Sequence, residues 1–305
     1  MPIPEMETIW FNGELVPWHE ARVHVLTHAL HYGSGVFEGI RCYKAEKGPE
    51  VFRLTDHIKR LYRSSKLYYM PIPYTPEELR HATFDLVKSN RLDACYIRPI
   101  VFRGYGEMGL LPLTSSVDVA IAAWPWGTYL GEEGMARGVR AKFSSIQSLD
   151  HTSLARAAKA TGQYLNSILA KVEVTNAGYD EAIMLNEHGH VSEGSGENIF
   201  VVRDGKVLTP PTADGVLEGI TRDMVIELCE AEGLPFQERT LTRSDLIVAD
   251  EVFFTGTAAE IVPVREIDHH FIGEPGPVTR TMQDRYKAIV EGRDEAFAHY
   301  VEYVE

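Results

Sequence analysis

Residues 153 to 171, Ser-Leu-Ala-Arg-Ala-Ala-Lys-Ala-Thr-Gly-Gln-Tyr-Leu-Asn-Ser-Ile-Leu-Ala-Lys, place Lys159 among small neighbours: Ala155, Ala157, Ala158, Ala160 and Gly162. No acidic residue lies within eight positions on either side, so the local sequence offers this lysine no carboxylate. An amine walled by small side chains approaches a flat ligand closely, and once desolvated it serves as a nucleophile or a base. A solvated lysine near a helix is the ordinary alternative. Tyr164 follows at a distance that lets it meet the same ligand. In Val191-Ser-Glu-Gly-Ser-Gly-Glu-Asn-Ile-Phe200, Glu193 and Glu197 border two glycines, a composition that lets a carboxylate face a bound ring or simply makes a charged loop. Gly219-Ile220-Thr221 opens a helical pattern, and Gly256-Thr257-Ala258 follows a strand pattern. Backbone N–H groups, a hydroxyl and a helix dipole suit a phosphate, although plain caps have the same look. Tyr96 and Arg98, two apart, point to one face of a strand.

These groups need elements to hold them. Leu154, Ala158, Leu165, Ile168, Leu169 and Val172 share one face at helical spacing, which predicts an amphipathic helix for at least the second half of 153–171, with that face as the apolar one. Asn12-Gly13 and Asp204-Gly205 each separate apolar runs and predict tight hairpins. Residues 21–26 alternate as a strand. From His28 to Arg41, Gly33, Gly35 and Gly39 interleave with Tyr32 and Phe37, which reads as a pocket wall or a glycine-rich turn. Residues 54–69 form a helical pattern carrying Arg60, most simply a solvated arginine. Thr75-Pro-Glu-Glu78 is a helix start with a capping box. Residues 95–102 and 117–124 read as strands, the second apolar enough to be buried on both faces. Residues 104–112 are loop-like, and a turn spans His188 to His190. Strands are expected at 180–186, 198–203, 206–209 and 251–255, and helices at 217–232 and 242–247. A last helix is expected over about 278–302. Strands and helices do not alternate regularly, which argues against a single Rossmann sheet or a TIM barrel.

The chain has 305 residues, 44% hydrophobic and 24% charged, enough for one large or two medium domains. The expected division is 1–125, a linker at 126–137, and 138–305. A formal net charge of −14 argues against nucleic acid or an anionic membrane as the main partner, yet leaves room for an anionic cofactor in a local cationic site. Three scattered cysteines give no disulfide or zinc pattern, and no metal is expected; with no signal peptide legible, a cytoplasmic protein is expected.

Several segments occur together and in order: His31-Tyr-Gly-Ser-Gly-Val-Phe-Glu-Gly-Ile-Arg, Tyr96-Ile-Arg-Pro, Lys159-Ala-Thr-Gly-Gln-Tyr, Glu193-Gly-Ser-Gly-Glu-Asn, Leu217-Glu-Gly-Ile-Thr-Arg and Gly256-Thr-Ala-Ala-Glu. This set resembles the class IV, fold-type-IV pyridoxal-phosphate enzymes, and within them the branched-chain amino acid aminotransferases, from about Trp10 to the last helix. The resemblance implies a mixed α/β, α+β-like, two-domain fold with pyridoxal 5'-phosphate at the domain interface. It implies that Lys159 bonds the cofactor and then shuttles a proton. Glu193 would pair with the pyridine nitrogen, and Tyr164 would hydrogen-bond the ring oxygen. Arg60, Ile220, Thr221 and Thr257 would hold the phosphate, with Leu217, Gly219 and Gly256 lining the cofactor. On the substrate side, Tyr32, Phe37, Tyr96 and Tyr129 would wall the pocket and Gly196 would line it. Arg98 would meet the distal carboxylate of glutamate, and Thr257 and Ala258 would hold the α-carboxylate with the Tyr96 hydroxyl. The implied reaction is transamination between leucine, isoleucine or valine and 2-oxoglutarate, an activity of amino-acid biosynthesis, in a homo-oligomer of at least two copies. Three alternatives share the fold. D-amino-acid transaminases carry an arginine–histidine pair on the strand that has Ile100 here. Aminodeoxychorismate lyases and (R)-amine transaminases depart from Tyr96-Ile-Arg98.

Overall fold

The structure, a computed structural model, describes residues 3–127 and 131–304. The chain forms two compact units that are not contiguous halves: Met1–Trp126 with Ala158–Gly162 and Ala288–Glu305, and Gly127–Ala157 with Gln163–Lys287. Two short segments from late in the chain therefore group with the first unit, because their backbones are tied into it. The N–H of Phe37 donates to Lys159 O, and Val36 and Ala160 form a bridge.

The first unit runs β1 (Thr8–Phe11), β2 (Glu14–Pro17), α1 (His28–Tyr32), β3 (Gly35–Phe37), β4 (Ile40–Ala45), β5 (Gly48–Phe52), α2 (Leu54–Leu67), α3 (Pro76–Ser89), β6 (Cys95–Arg103) and β7 (Val117–Trp124). Among the described residues its sheet has eight strands. The order is the C-terminal strand Val301–Tyr303, then β5, β4, β6, β7, β1 and β2, with β3 paired to β6, and every pairing is antiparallel. The hairpin at Asn12-Gly13 forms because both residues take positive φ, +47° and +100°, as a tight two-residue turn requires. Leu54, Ile58 and Leu61 bury one stripe of α2, each gaining about 2 kcal/mol by leaving water. Thr75 closes α3 with the expected capping box. In β7 one face is buried through Val119, Ile121 and Ala123, while Ala120 and Ala122 on the other remain half-buried, so burial is less complete than the run suggests.

Two expectations fail in this unit. Residues 21–26 form no strand, and Val23, Val25 and Leu26 are exposed; alternation without a neighbouring edge to pair with does not make a sheet. The final helix stops at Val290. Gly292 takes φ +67°, Asp294 caps a short 3₁₀ turn (Glu295–Tyr300), and Val301–Tyr303 pairs with β5.

The second unit runs α4 (Gly131–Arg137), β8 (Val139–Phe143), α5 (Tyr164–Asn176), β9 (Glu181–Leu185), β10 (Val191–Gly194), β11 (Asn198–Arg203), β12 (Lys206–Thr209), α6 (Ile220–Ala231), β13 (Phe236–Glu238), α7 (Arg243–Ile247), β14 (Glu251–Gly256), β15 (Glu260–Ile267), β16 (His270–Phe271) and α8 (Pro277–Val290), whose last residues belong to the first unit. Among the described residues its sheet has nine strands, in the order β10-β9-β8-β15-β14-β11-β12-β13 with β16 on β15. The pairs β8–β9, β8–β15 and β12–β13 are parallel, and the rest are antiparallel. Its core is Phe254, Val201, Ile199, Ile183 and their neighbours, with Met224, Val225 and Leu228 of α6 also fully buried.

The face of α5 is reversed from expectation. Leu165, Ile168, Leu169 and Val172 are all more than half exposed, and Ala170 and Val174 are the buried pair. The side of α5 that turns to β9 is the one with Ala170 and Val174, which pack with Tyr179, Ala182 and Met184.

Candidate active site

Lys159 does not lie on a helix. It sits in an irregular stretch before a 3₁₀ turn, and α5 starts only at Tyr164. The backbone around it is pinned within the first unit. Its N–H donates to Ser64 Oγ at 3.1 Å, its carbonyl accepts from Phe37, and Thr161 Oγ1 donates to Gly33 O at 2.8 Å. Gly162 comes so close to Gly33 that a Cβ built on Gly33 would lie 2.9 Å from the Gly162 Cα. The small residues read as room for a ligand thus also serve close packing of two backbone segments.

Lys159 Nζ lies 5.2 Å from the centre of the Phe37 ring, and the Arg98 guanidinium carbon lies 4.6 Å from the same ring. One aromatic side chain therefore has both an amine and a guanidinium beside it. Arg98 Nη2 donates to the Tyr96 hydroxyl at 3.1 Å, while its buried Nε has no hydrogen-bond partner among the described residues. The Tyr96 hydroxyl lies over Gly39, where a Cβ would sit 2.0 Å from it, so glycine is required there. Tyr96 also packs against Trp124 and Trp126, ring centres 5.4 and 4.8 Å away.

The register of the sheet adds a residue that sequence reading left aside. Arg41 of β4 lies opposite Tyr96 of β6, so Arg41, Tyr96 and Arg98 share one face. Its place at the end of the glycine-rich run was visible, but only pairing fixes the face. Tyr32 is nearly half exposed and packs on His28, and Tyr129 lies outside the described residues.

Arg60 is buried, not solvated. Its Nε and Nη2 donate to the two oxygens of Glu38, each at 2.7 Å, and His57 Nδ1 lies 2.8 Å from Glu38 Oε2. Burial pushes the Glu38 carboxyl up, but the Arg60 charge and hydrogen bonds, with His57, outweigh it and hold the group at about 2. Burial likewise lowers His57. Arg60 is thus a fixed, oriented charge on α2.

In the second unit, Glu193 on β10 is held on both oxygens. Arg156 pairs with Oε1, while the Leu217 N–H and Asn198 Nδ2 donate to Oε2 at 3.0 and 3.3 Å. Gly219 precedes α6 with no side-chain cap, and Thr221 is buried in the first turn, which keeps the N-terminal dipole of a twelve-residue helix available to an anion. Glu197 accepts the Gly196 N–H at 3.0 Å, and burial followed by the charge of Glu181 pushes it up to about 8. Thr257 and Ala258 are half-buried in the turn between β14 and β15, and Tyr164 is half-buried at the start of α5. The second unit thus offers an anchored carboxylate and a helix N-terminus with hydroxyls, which fit a phosphorylated, nitrogen-containing ring. The first offers a half-buried amine and an arginine with an orphaned buried nitrogen, which fit an aldehyde and a carboxylate substrate.

Comparison with known proteins agrees. The family model "Amino-transferase class IV" matches residues 35–267. The chain is 46% identical over 298 residues to the branched-chain-amino-acid aminotransferase of Escherichia coli K12, covering 97% of this chain and 96% of the relative. The crystal structure of the E. coli branched-chain amino acid aminotransferase is similar with a TM-score of 0.97 at 45% identity, covering 99% of this chain and all of that one (100%). The branched-chain amino acid aminotransferase from Thermobaculum terrenum, in its PLP-bound holo-form, is similar with a TM-score of 0.93 at 37% identity, over 99% of each chain.

Proposed function

The chain belongs to the class IV aminotransferases, and from that membership we propose that it moves the amino group between branched-chain L-amino acids and 2-oxoglutarate, giving the branched-chain 2-oxo acid and L-glutamate. The observation that carries the reading is the pair of cations on the Phe37 ring. Lys159 brings the amine, Arg98 brings a charge for the distal carboxylate of glutamate, and Phe37 with Tyr96 and Trp126 gives an apolar branched side chain a surface of its own. One pocket must accept both kinds of side chain, and this arrangement offers both.

Pyridoxal 5'-phosphate, when bound, supplies an aldehyde for the amine and a ring that takes up the electron pair released at the substrate α-carbon. Lys159 Nζ would hold the cofactor at its aldehyde and, once the substrate amine has taken that place, would carry the proton at the substrate α-carbon. Glu193 would meet the ring nitrogen and Tyr164 the ring oxygen. Arg60, Thr221, Thr257 and the Ile220 N–H would hold the phosphate, and Leu217, Gly219 and Gly256 would line the cofactor. The Thr257 and Ala258 N–H groups would take the substrate α-carboxylate with Gly196 lining that side, and in the first unit the Tyr96 hydroxyl would contribute, with Arg41 adding positive charge beside it.

The exposed row Leu165, Ile168, Leu169 and Val172, together with exposed Leu110, Leu111 and Leu113, supports a second copy covering apolar surface, so the enzyme works at least as a dimer. Among the described residues no helix is long and apolar enough to cross a membrane. Three free, buried cysteines suit a reducing compartment, and the activity is assigned to the cytoplasm.

The test is a half-reaction followed by absorbance. Purified enzyme is mixed separately with L-leucine, L-glutamate, D-alanine and (R)-1-phenylethylamine, and the cofactor band is followed. Rapid loss with the first two alone is expected. Rapid loss with D-alanine or the amine instead would move the substrate assignment to a relative of the same fold, and a colourless protein that takes up no pyridoxal phosphate would overturn the reading.

A further inference from the structure

Arg156 stands three residues before Lys159 in sequence but belongs to the other unit, where it pairs with Glu193 of β10. Its side chain is 11% exposed. Nη2 pairs with Glu193 Oε1, and Nε donates to Gly215 O at 3.0 Å. The remaining contacts complete a frame around one carboxylate. Leu217 N–H donates to Oε2, and Asn198 Nδ2 bridges Oε2 and Leu217 O, the latter at 3.0 Å. Asn198 fits only because residue 219 is glycine, since a Cβ there would lie 1.9 Å from Asn198 Oδ1. Glu193 thus receives two neutral donors on one oxygen and, among the described residues, its single cation, Arg156, on the other.

We propose that Arg156 is a positioning residue for Glu193: it supplies the charge opposite the carboxylate and fixes the direction in which Glu193 meets the cofactor's ring nitrogen. The inference rests on the reading of Glu193 given above. The planar guanidinium spans a carboxylate and a carbonyl at once and so sets an angle, whereas a lysine at this position offers a single point charge. A carboxylate that turns by one rotamer no longer points its lone pair at a ring N–H, and a contact of this kind is steeply angle-dependent. Arg156 therefore acts on the ring nitrogen alone, through Glu193, and leaves the phosphate and the aldehyde side untouched.

The test uses cofactor binding by the apo-protein. Wild type, Arg156→Gln, Arg156→Lys, Glu193→Gln and the double variant Arg156→Gln/Glu193→Gln are titrated with pyridoxal 5'-phosphate and with its 1-deaza analogue, in which CH replaces the ring nitrogen. Dissociation constants are read by equilibrium dialysis and melting temperatures are taken alongside. Loss of a charged hydrogen-bond partner predicts that Arg156→Gln weakens pyridoxal phosphate about tenfold and the analogue less than about twofold, with Arg156→Lys between. The double variant should bind no more weakly than Glu193→Gln alone, because the two residues act in series. An equal loss for both ligands, accompanied by a lower melting temperature, would make Arg156 a prop of the loop and overturn the proposal; so would no loss for either. If Glu193→Gln itself fails to distinguish the two ligands, the reading of Glu193 falls first and this inference with it.

Discussion

Glu38 and Glu50 are both fully buried in the first unit, yet their carboxyls are shifted in opposite directions. Glu38, between β3 and β4, is forked by Arg60 and approached by His57, and is held at about 2. Glu50, on β5, has no hydrogen-bond partner on either oxygen among the described residues; burial, followed by the charge of Glu291, pushes it up to about 8. Burial is common to both, so the partner decides. In the second unit, Glu193 on β10 has Arg156 beside it, while Glu197, just before β11, is pushed up to about 8 by burial and then by the charge of Glu181. In each unit the carboxylate with an arginine is, or borders, a residue proposed to touch the cofactor, and the other is structural.

The largest expected effect comes from breaking the paired member. Glu38→Gln leaves the Arg60 charge buried without its counter-ion and should cost about 3–5 kcal/mol in urea unfolding at pH 7. A cost below about 1 kcal/mol would mean that Arg60 does not depend on Glu38. In wild type the contribution of Glu38 is present above its unfolded value of 4.5 and disappears as pH falls through about 2.

Glu50 should show the opposite dependence. The unfolded carboxyl loses its proton near 4.5 and the folded one near 8, so across that window only the folded chain keeps the proton. Stability attributable to this group therefore falls as pH rises from 4.5 to 8. Glu50→Gln removes the titration, and its melting temperature relative to wild type should rise steadily between about pH 5 and pH 8. A flat difference over that range would show that Glu50 has a counter-charge after all.

The smallest expected effect is that of Glu197→Gln at pH 6. There an amide replaces an acid that is already neutral and keeps an oxygen for the Gly196 N–H, so stability should change by no more than about 0.5 kcal/mol. A loss of several kcal/mol at pH 6 would mean that Glu197 is ionised in the folded chain.

The carboxylates of Glu193 and Glu197 also mark where sequence reading stopped. Both were visible between glycines, but nothing local says which one an arginine will meet, since Arg156 lies on a different segment and Glu181 on a different strand. Arg60 looked like a solvated helix arginine because its partner is 22 residues away in sequence. The leucines and isoleucine of α5 followed a helical period correctly, yet the period gives a face and not its direction. Here Ala170 and Val174 turn to β9, and the larger residues are left outside.

What the sequence determined by itself is whatever short-range chemistry controls. Asn12-Gly13 and Asp204-Gly205 make hairpins because few residue pairs tolerate their dihedral angles, Thr75 and Glu78 start a helix through their own hydrogen bonds, and six ordered motifs named the family. Tertiary structure decided which face Arg41 shares with Tyr96 and Arg98, which buried carboxylates carry charge, and that the last residues leave a helix to become the edge strand beside β5. Each of these depends on groups distant in the chain meeting in a low-dielectric interior, where the identity of the neighbour outweighs the identity of the residue.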